Sequence, residues 1–295
     1  MKFQKLLQFI CALILVSSTG IYASDLGHAN GKLLIMGGGD KQFDQKVAKI
    51  FMKLVGKPDA LIVYIPTAAP GNHFGKNWSP LKNFKKLTGA TNVVILHTRD
   101  RKIANSKQFV KPLTKAKAVV IYGGRQWRLA DAYLHTLVQK ELYNLLKRGG
   151  VIAGGSAGAS IMGSFLVRGD TKNNTIMIGD HQEGFGFLRN TAIDQHLLYR
   201  NRQFDLVKVI EKHPKLLGIG IDRNTGILVS GNKFKVFAGN YVAIYDYTHT
   251  LIHGGKFYFL APGDIFNLKT RSPFRPSDPN YFKRKIVPKC WSMNC

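Results

Sequence analysis

Cysteine is nearly absent: the chain has three in 295 residues, and no CxxC, HExxH or HxH spacing occurs. That excludes a zinc site built on ligands close in sequence and a fold held together by disulfides. Carboxylates are scarce as well, 17 Asp and Glu against 43 Lys and Arg, for a formal net charge of +26. Such a balance draws polyanions to the surface without specificity. The lysines are scattered, however, and no helix-turn-helix, zinc-finger or RNP pattern accompanies them, so no specific nucleic-acid partner is expected. Long apolar runs are missing too. The longest near the N-terminus is LLQFICALILV (6–16), well short of the roughly 20 residues of a membrane span. No internal repeat or low-complexity segment is present. MGGGDKQFD (36–44) lacks both G-x-G-x-x-G and the P-loop Lys-Ser/Thr, which excludes the common nucleotide cradles.

The N-terminus has the make-up of an export signal. Lys2 and Lys5 precede the apolar run, and SSTGIYAS follows with small residues suited to cleavage near Ala23. Residues 1–23 are therefore expected to be a signal peptide, with 24–295 as one α/β domain that is secreted or periplasmic. A retained N-terminal anchor is the competing assignment; after cleavage no stable membrane anchor remains. The mature chain keeps only Cys290 and Cys295, which an oxidising compartment would allow to pair.

Further along, apolar runs alternate with helical ones. GKLLIMGGG (31–39), DALIVYIPTAA (59–69), TNVVILHT (91–98), AKAVVIYGG (116–124) and VIAGG (151–155) read as strands. QKVAKIFMKLVG (45–56), LKNFKKLTG (81–89) and WRLADAYLHTLVQKELYNLLKRGG (127–150) have helical spacing. Continuous apolar strands between helices imply an α/β fold with a mainly parallel sheet flanked by helices. From about Gly226 the pattern changes to alternating residues with tight Gly/Asn turns, expected as C-terminal hairpin strands that extend the sheet. Sites in such sheets gather at the carboxyl ends of strands. Gly37–Gly39, Gly123–Gly124 and Gly155–Ser156 all fall there.

Gly154-Gly155-Ser156-Ala157-Gly158 fits G-x-S-x-G between a strand and an expected helix. In a nucleophile elbow, small residues permit the sharp turn, and the N–H of Ala157 points at a developing oxyanion. The same composition also serves where a helix simply packs closely on a sheet, so the motif alone leaves Ser156 open between the two roles. A serine nucleophile needs a base, and His196, closing TAIDQH (191–196), is the best placed of nine histidines. Gly124, in YGGRQWRL, could donate a second oxyanion N–H. Gln126 follows it as a side chain able to orient an amide.

Taken in order, GGGD, IPTAA, YGGRQWRL, GGSAGAS, AIDQH with its trailing arginines, and LGIGID (217–222) resemble the cyanophycinases. These are serine peptidases grouped with aspartyl dipeptidases, and the likeness spans roughly residues 31–250. The resemblance implies a flavodoxin-like sandwich similar to class I glutamine amidotransferases. It implies Ser156 as nucleophile, His196 as general base, and Gln126, Asp194, Gln195, Arg200 and Arg202 around the substrate pocket. For the acid that orients the imidazole, Asp170 is the first candidate, with Asp180 and Glu183 as alternatives. No metal or organic cofactor is implied. The implied activity is an exported serine exopeptidase that hydrolyses cyanophycin, an arginine-decorated polyaspartate, to β-Asp-Arg dipeptides. Other aspartyl or isoaspartyl peptides, or polyanion binding without catalysis, are the alternatives; a homodimer is compatible with any of them. Two positions depart from the family pattern. Asp205 stands where a third arginine tends to follow Arg200 and Arg202, and Arg223 stands where an acid often follows LGIGID. The two changes could exchange partners or mark a different substrate.

Overall fold

A computed structural model describes residues 30–288. The expected signal peptide and the Cys290–Cys295 pair lie outside the described residues. The chain runs β1 (Lys32–Met36), α1 (Lys41–Val55), β2 (Ile62–Ile65), α2 (Ser79–Thr88), β3 (Val93–Ile95), α3 (Arg101–Ala104), α4 (Lys107–Lys115) and β4 (Ala118–Ile121). It continues through α5 (Gln126–Tyr133), α6 (Leu137–Lys147), β5 (Val151–Gly155), α7 (Ala157–Ser160), β6 (Gly163–Phe165), β7 (Leu188–Gln195) and α8 (Asp205–Lys212). Then come β8 (Leu217–Ile221), β9 (Gly226–Ser230), β10 (Lys233–Phe237), β11 (Val242–Tyr245), β12 (His249–Leu251), β13 (Tyr258–Leu260), β14 (Ile265–Asn267) and β15 (Ser272–Phe274).

These strands form two main sheets. The larger has the order β15-β14-β10-β9-β1-β5-β4-β2-β3, and its β1-β5-β4-β2-β3 portion is parallel. Hairpin strands β9 and β10 extend it antiparallel from the β1 edge, as the alternating C-terminal pattern leads one to expect. The second sheet, β13-β11-β8-β7-β6, joins parallel β6, β7 and β8 to antiparallel β11 and β13. One cluster of buried apolar side chains runs through both, from Leu33 and Ile35 to Ile193, Ile219 and Ile244. Burial on both faces is what makes the parallel strands read as unbroken apolar runs.

Three local outcomes differ from the sequence pattern. The helical stretch 127–150 is two helices. Thr136 starts α6 with its hydroxyl bonded to the Tyr133 carbonyl, and the Gln139 side chain accepts from the His135 N–H at 2.7 Å. His135, at φ 58°, turns the chain between them. The helix after Ser156 lasts a single turn, because the carbonyls of Ile161 and Met162 accept instead from Phe185 and Leu188. The segment 99–115 also carries two helices, α3 and α4, that periodicity does not mark; Asp100 and Ser106 cap them.

Candidate active site

Register brings the strand ends together. Ile35 of β1 and Ile121 of β4 both pair with Gly154 of β5, so the glycine loops after β1 and β4 flank the Gly155–Ser156 turn. Ser156 has φ 55° and ψ −119°, a backbone conformation costly for a residue with a Cβ. The turn has no slack. A Cβ on Gly158 would come within 2.2 Å of the Ile121 carbonyl oxygen. Gly124 has φ +142°, and a Cβ there would come within 2.0 Å of the Ala68 oxygen. The glycines thus serve close packing, while the strained residue among them is the serine. Close packing and a strained turn are both present, at different positions.

The Ser156 Oγ lies 3.0 Å from His196 Nε2. His196 follows the end of β7, also at positive φ (57°). Its ring lies against Gly38, where a Cβ would sit 2.4 Å from Cε1. A hydroxyl at hydrogen-bond distance from an imidazole nitrogen is arranged for proton transfer. Burial pushes the His196 pKa down to about 4, and the charges of Arg200, Arg202 and Arg223 push the same way. The ring is therefore neutral, and able to accept a proton, across the neutral range. Ala157 opens a helix, so its N–H has no partner within that helix; Gly124 stands at the facing loop.

The acidic candidates are elsewhere. Asp170 accepts from the N–H groups of Lys172 and Asn173 at 2.9 and 3.1 Å, closing its own turn. Asp180 bonds Thr171 and His181, and Glu183 bonds His135 at 3.0 Å. All three brace the loop between β6 and β7 rather than the imidazole. The carboxylate whose charge does favour a protonated His196 is Asp222, at the end of β8. It is buried and accepts from the Tyr199 N–H at 3.0 Å and the Asn240 amide at 2.9 Å. LGIGID is a visible motif, but nothing in its spacing links Asp222 to His196.

The substrate-pocket candidates divide. Asp194 is fully buried and held by Arg168 through two bonds of 2.8 and 3.0 Å, so it faces the protein interior and not a substrate. Arg202 is buried and donates to the Gln195 carbonyl. Gln126, Gln195 and Arg200 do line a cavity of about 360 Å³ that reaches Ser156 and Gly124. Arg125 and Arg128 line it as well; both stand in YGGRQWRL, where the glycines and Gln126 are the more conspicuous residues. Asp205 pairs with Arg168, while Arg223 stacks on Tyr199 at 4.5 Å, so these two departures do not exchange partners. Arg168 thereby supplies a guanidinium from a different segment to the Asp194 corner. Among the described residues, no group of three or more His, Cys, Asp or Glu side chains converges as metal ligands would.

Comparison with known proteins follows the same lines. The family model described as peptidase family S51 matches residues 33–237. A cyanophycinase of Geminocystis herdmanii is 28% identical over 271 residues, covering 83% of this chain and 97% of the relative. A cyanophycinase of a Nostoc species is 31% identical over 263 residues, covering 81% and 86%. Among solved structures, a peptidase from an acI-B1 actinobacterium superposes with a TM-score of 0.60 at 22% identity, over 82% of this chain and 98% of that one. A candidate peptidase E protein of Listeria monocytogenes gives 0.51 at 18% identity, over 71% and 99%. Both structural likenesses speak to the fold.

Proposed function

The chain belongs to peptidase family S51 and is a cyanophycinase-like serine peptidase, and from that premise we propose that it is an exported exopeptidase cutting aspartyl peptide bonds, with Ser156 as nucleophile and His196 as general base. The observation that carries this is the 3.0 Å contact between Ser156 Oγ and His196 Nε2 at a strained turn. His196 takes the hydroxyl proton as Ser156 attacks the scissile carbonyl. The N–H groups of Ala157 and Gly124 receive the oxyanion, and His196 returns the proton to the leaving amine. Water then repeats the sequence on the acyl-enzyme. Asp222 favours the imidazolium electrostatically. Arg125, Arg128 and Arg200 receive substrate carboxylates, for which the guanidinium fork is suited. The substrate is cyanophycin, released as β-Asp-Arg, and residues 1–23 direct the protein out of the cytoplasm.

Ser156→Ala should abolish β-Asp-Arg release from purified cyanophycin; turnover undiminished in that variant sinks the mechanism. N-terminal sequencing of protein recovered from periplasm or medium should begin close after Ala23; an intact Met1 there contradicts the export assignment.

The Asp205–Arg168 and Arg223–Tyr199 pairings favour one second reading, a peptidase for other aspartyl or isoaspartyl peptides. Turnover of cyanophycin measured beside α- and β-linked Asp-X dipeptides separates the two.

A further inference from the structure

Helices α1 and α2 pack side by side on one face of the larger sheet, where Phe51 meets Phe84 edge-on with ring centres 5.8 Å apart. What they turn outward is dominated by lysine. Lys46, Lys49 and Lys53 stand at i, i+3 and i+7 on α1, and Lys82, Lys85 and Lys86 at i, i+3 and i+4 on α2, so each set forms one stripe. All six are exposed, on the side away from the buried Phe43, Phe51 and Val55 of α1 and Leu81 of α2. The two helices contain one carboxylate, Asp44. It falls on the opposite side of α1, where it borders a cavity of about 880 Å³ that reaches Ser156. None of the six lysines forms an ion pair or a side-chain hydrogen bond with a described residue.

Helix stability does not account for this pattern. A lysine in the last turn offsets the macrodipole, which explains Lys53, Lys85 and Lys86. Lys46, Lys49 and Lys82 stand further from the carboxyl ends and gain little from it. Like charges at i,i+3 and i,i+4 weaken a helix, and Lys46–Lys49, Lys49–Lys53, Lys82–Lys85 and Lys82–Lys86 are all such pairs. An anionic surface laid over the stripes relieves that repulsion.

The chemistry of the stripes narrows the partner. They hold no arginine, and an ammonium is a hydrated point charge without the fork that grips one phosphate or carboxylate. Diffuse negative charge therefore suits the face better than a single bound anion. Neither helix exposes an aromatic ring on which bases could stack, which favours lipid headgroups over nucleic acid. Neither exposes a large apolar side chain that could insert among acyl chains, so association is with headgroups, reversible and sensitive to salt. Both helices run back from the strand ends that carry Ser156, and covering their outer side leaves the Ser156 turn clear.

We propose that the α1–α2 face is a docking surface for an anionic lipid membrane, holding the protein peripherally through these six lysines. The proposal stands on the two helices and holds whatever Ser156 cuts. Vesicle sedimentation tests it. The protein should bind vesicles of equal parts phosphatidylglycerol and phosphatidylcholine at least ~100-fold tighter than phosphatidylcholine alone, with the difference lost at high salt. Each lysine near a charged membrane contributes roughly a factor of five. The variant K46Q/K49Q/K53Q/K82Q/K85Q/K86Q should therefore bind the anionic vesicles at least ~100-fold more weakly. A control of equal net charge, K102Q/K111Q/K140Q/K212Q/K233Q/K269Q, takes exposed lysines from other elements and should stay within about fivefold of wild type. Equal loss in both variants would show net charge acting without a face, and overturns the proposal. So does undiminished binding by the helix variant, equal affinity of wild type for the two kinds of vesicle, or tighter binding to random-sequence duplex DNA at matched phosphate concentration. The vesicle and salt comparisons use wild-type protein and decide the matter even where a variant folds poorly.

Discussion

At the scale of single residues, the site rests on a base that its surroundings discourage from taking a charge. His196 is pushed down to about 4, by burial first and then by Arg200, Arg202 and Arg223. A general base works unprotonated, so activity is retained at neutral pH and lost as pH falls through that pKa. The acid limb of kcat/KM, which reports the free enzyme, should therefore lie near pH 4; a limb at or above the ordinary histidine value contradicts this electrostatic account. Substrate carboxylates offset the arginine charges, which raises the imidazole pKa in the complex. The acid limb of kcat should accordingly sit at higher pH than that of kcat/KM. Asp222→Asn removes a nearby charge that favours the imidazolium. It should lower kcat and move the kcat/KM limb further toward acid, and a pH profile identical to wild type counts against a role for Asp222. The contact between Ser156 and His196 was legible because each follows a strand and stands among glycines or polar residues. The acid was not, because orientation toward an imidazole is a tertiary property. Asp170, Asp180 and Glu183 are near Ser156 in sequence, yet Asp170 and Asp180 satisfy their own loop and Glu183 pairs with His135.

At the scale of elements, β5 and the one-turn α7 hold the serine by backbone contact. Gly158→Ala drives a methyl against the Ile121 oxygen 2.2 Å away and should cost about 1–3 kcal/mol, the usual range for overpacking. Denaturant titration checks it, and wild-type stability with wild-type activity would show that the elbow tolerates expansion. Arg168 ties the loop before β7 to Asp194 and Asp205. Arg168→Ala leaves Asp194 buried with Arg202 at 4.0 Å in place of a bidentate partner and should destabilise by about 3 kcal/mol, the low end for a broken buried pair, whereas replacing both by apolar residues should recover much of it. An unchanged denaturation midpoint in the single variant argues against the pair. The strand-then-glycine rhythm made β1, β2, β4 and β5 legible, since continuous burial leaves an apolar run in the sequence. The break between α5 and α6 was hidden because its left-handed residue is a histidine rather than a glycine. The second sheet was hidden too. TAIDQH (191–196) reads as a short strand, but Arg189 and Asn190 mask the first half of β7, and no periodicity tells which sheet a strand joins.

At the scale of the whole molecule, the +26 charge is far from evenly expressed at the site. Arginines line one cavity at Ser156 and a carboxylate lines the other. A positive molecule attracts an acidic polymer over a distance of about a Debye length, so salt weakens capture more than chemistry. KM for an acidic aspartyl peptide should rise with ionic strength while kcat stays nearly constant, and KM for cyanophycin, whose guanidinium groups balance its carboxylates, should change less. A kcat that falls in step with capture would place the salt-sensitive charges at the reacting centre instead.

The central claim is that Ser156, activated by His196, is the nucleophile, and its most direct measurement is active-site labelling. Fluorophosphonate-treated protein digested and mapped by mass spectrometry should carry a single adduct, on Ser156. The adduct should be absent in Ser156→Ala and strongly slowed in His196→Ala. An adduct on another residue, or labelling undiminished in Ser156→Ala, would contradict the account.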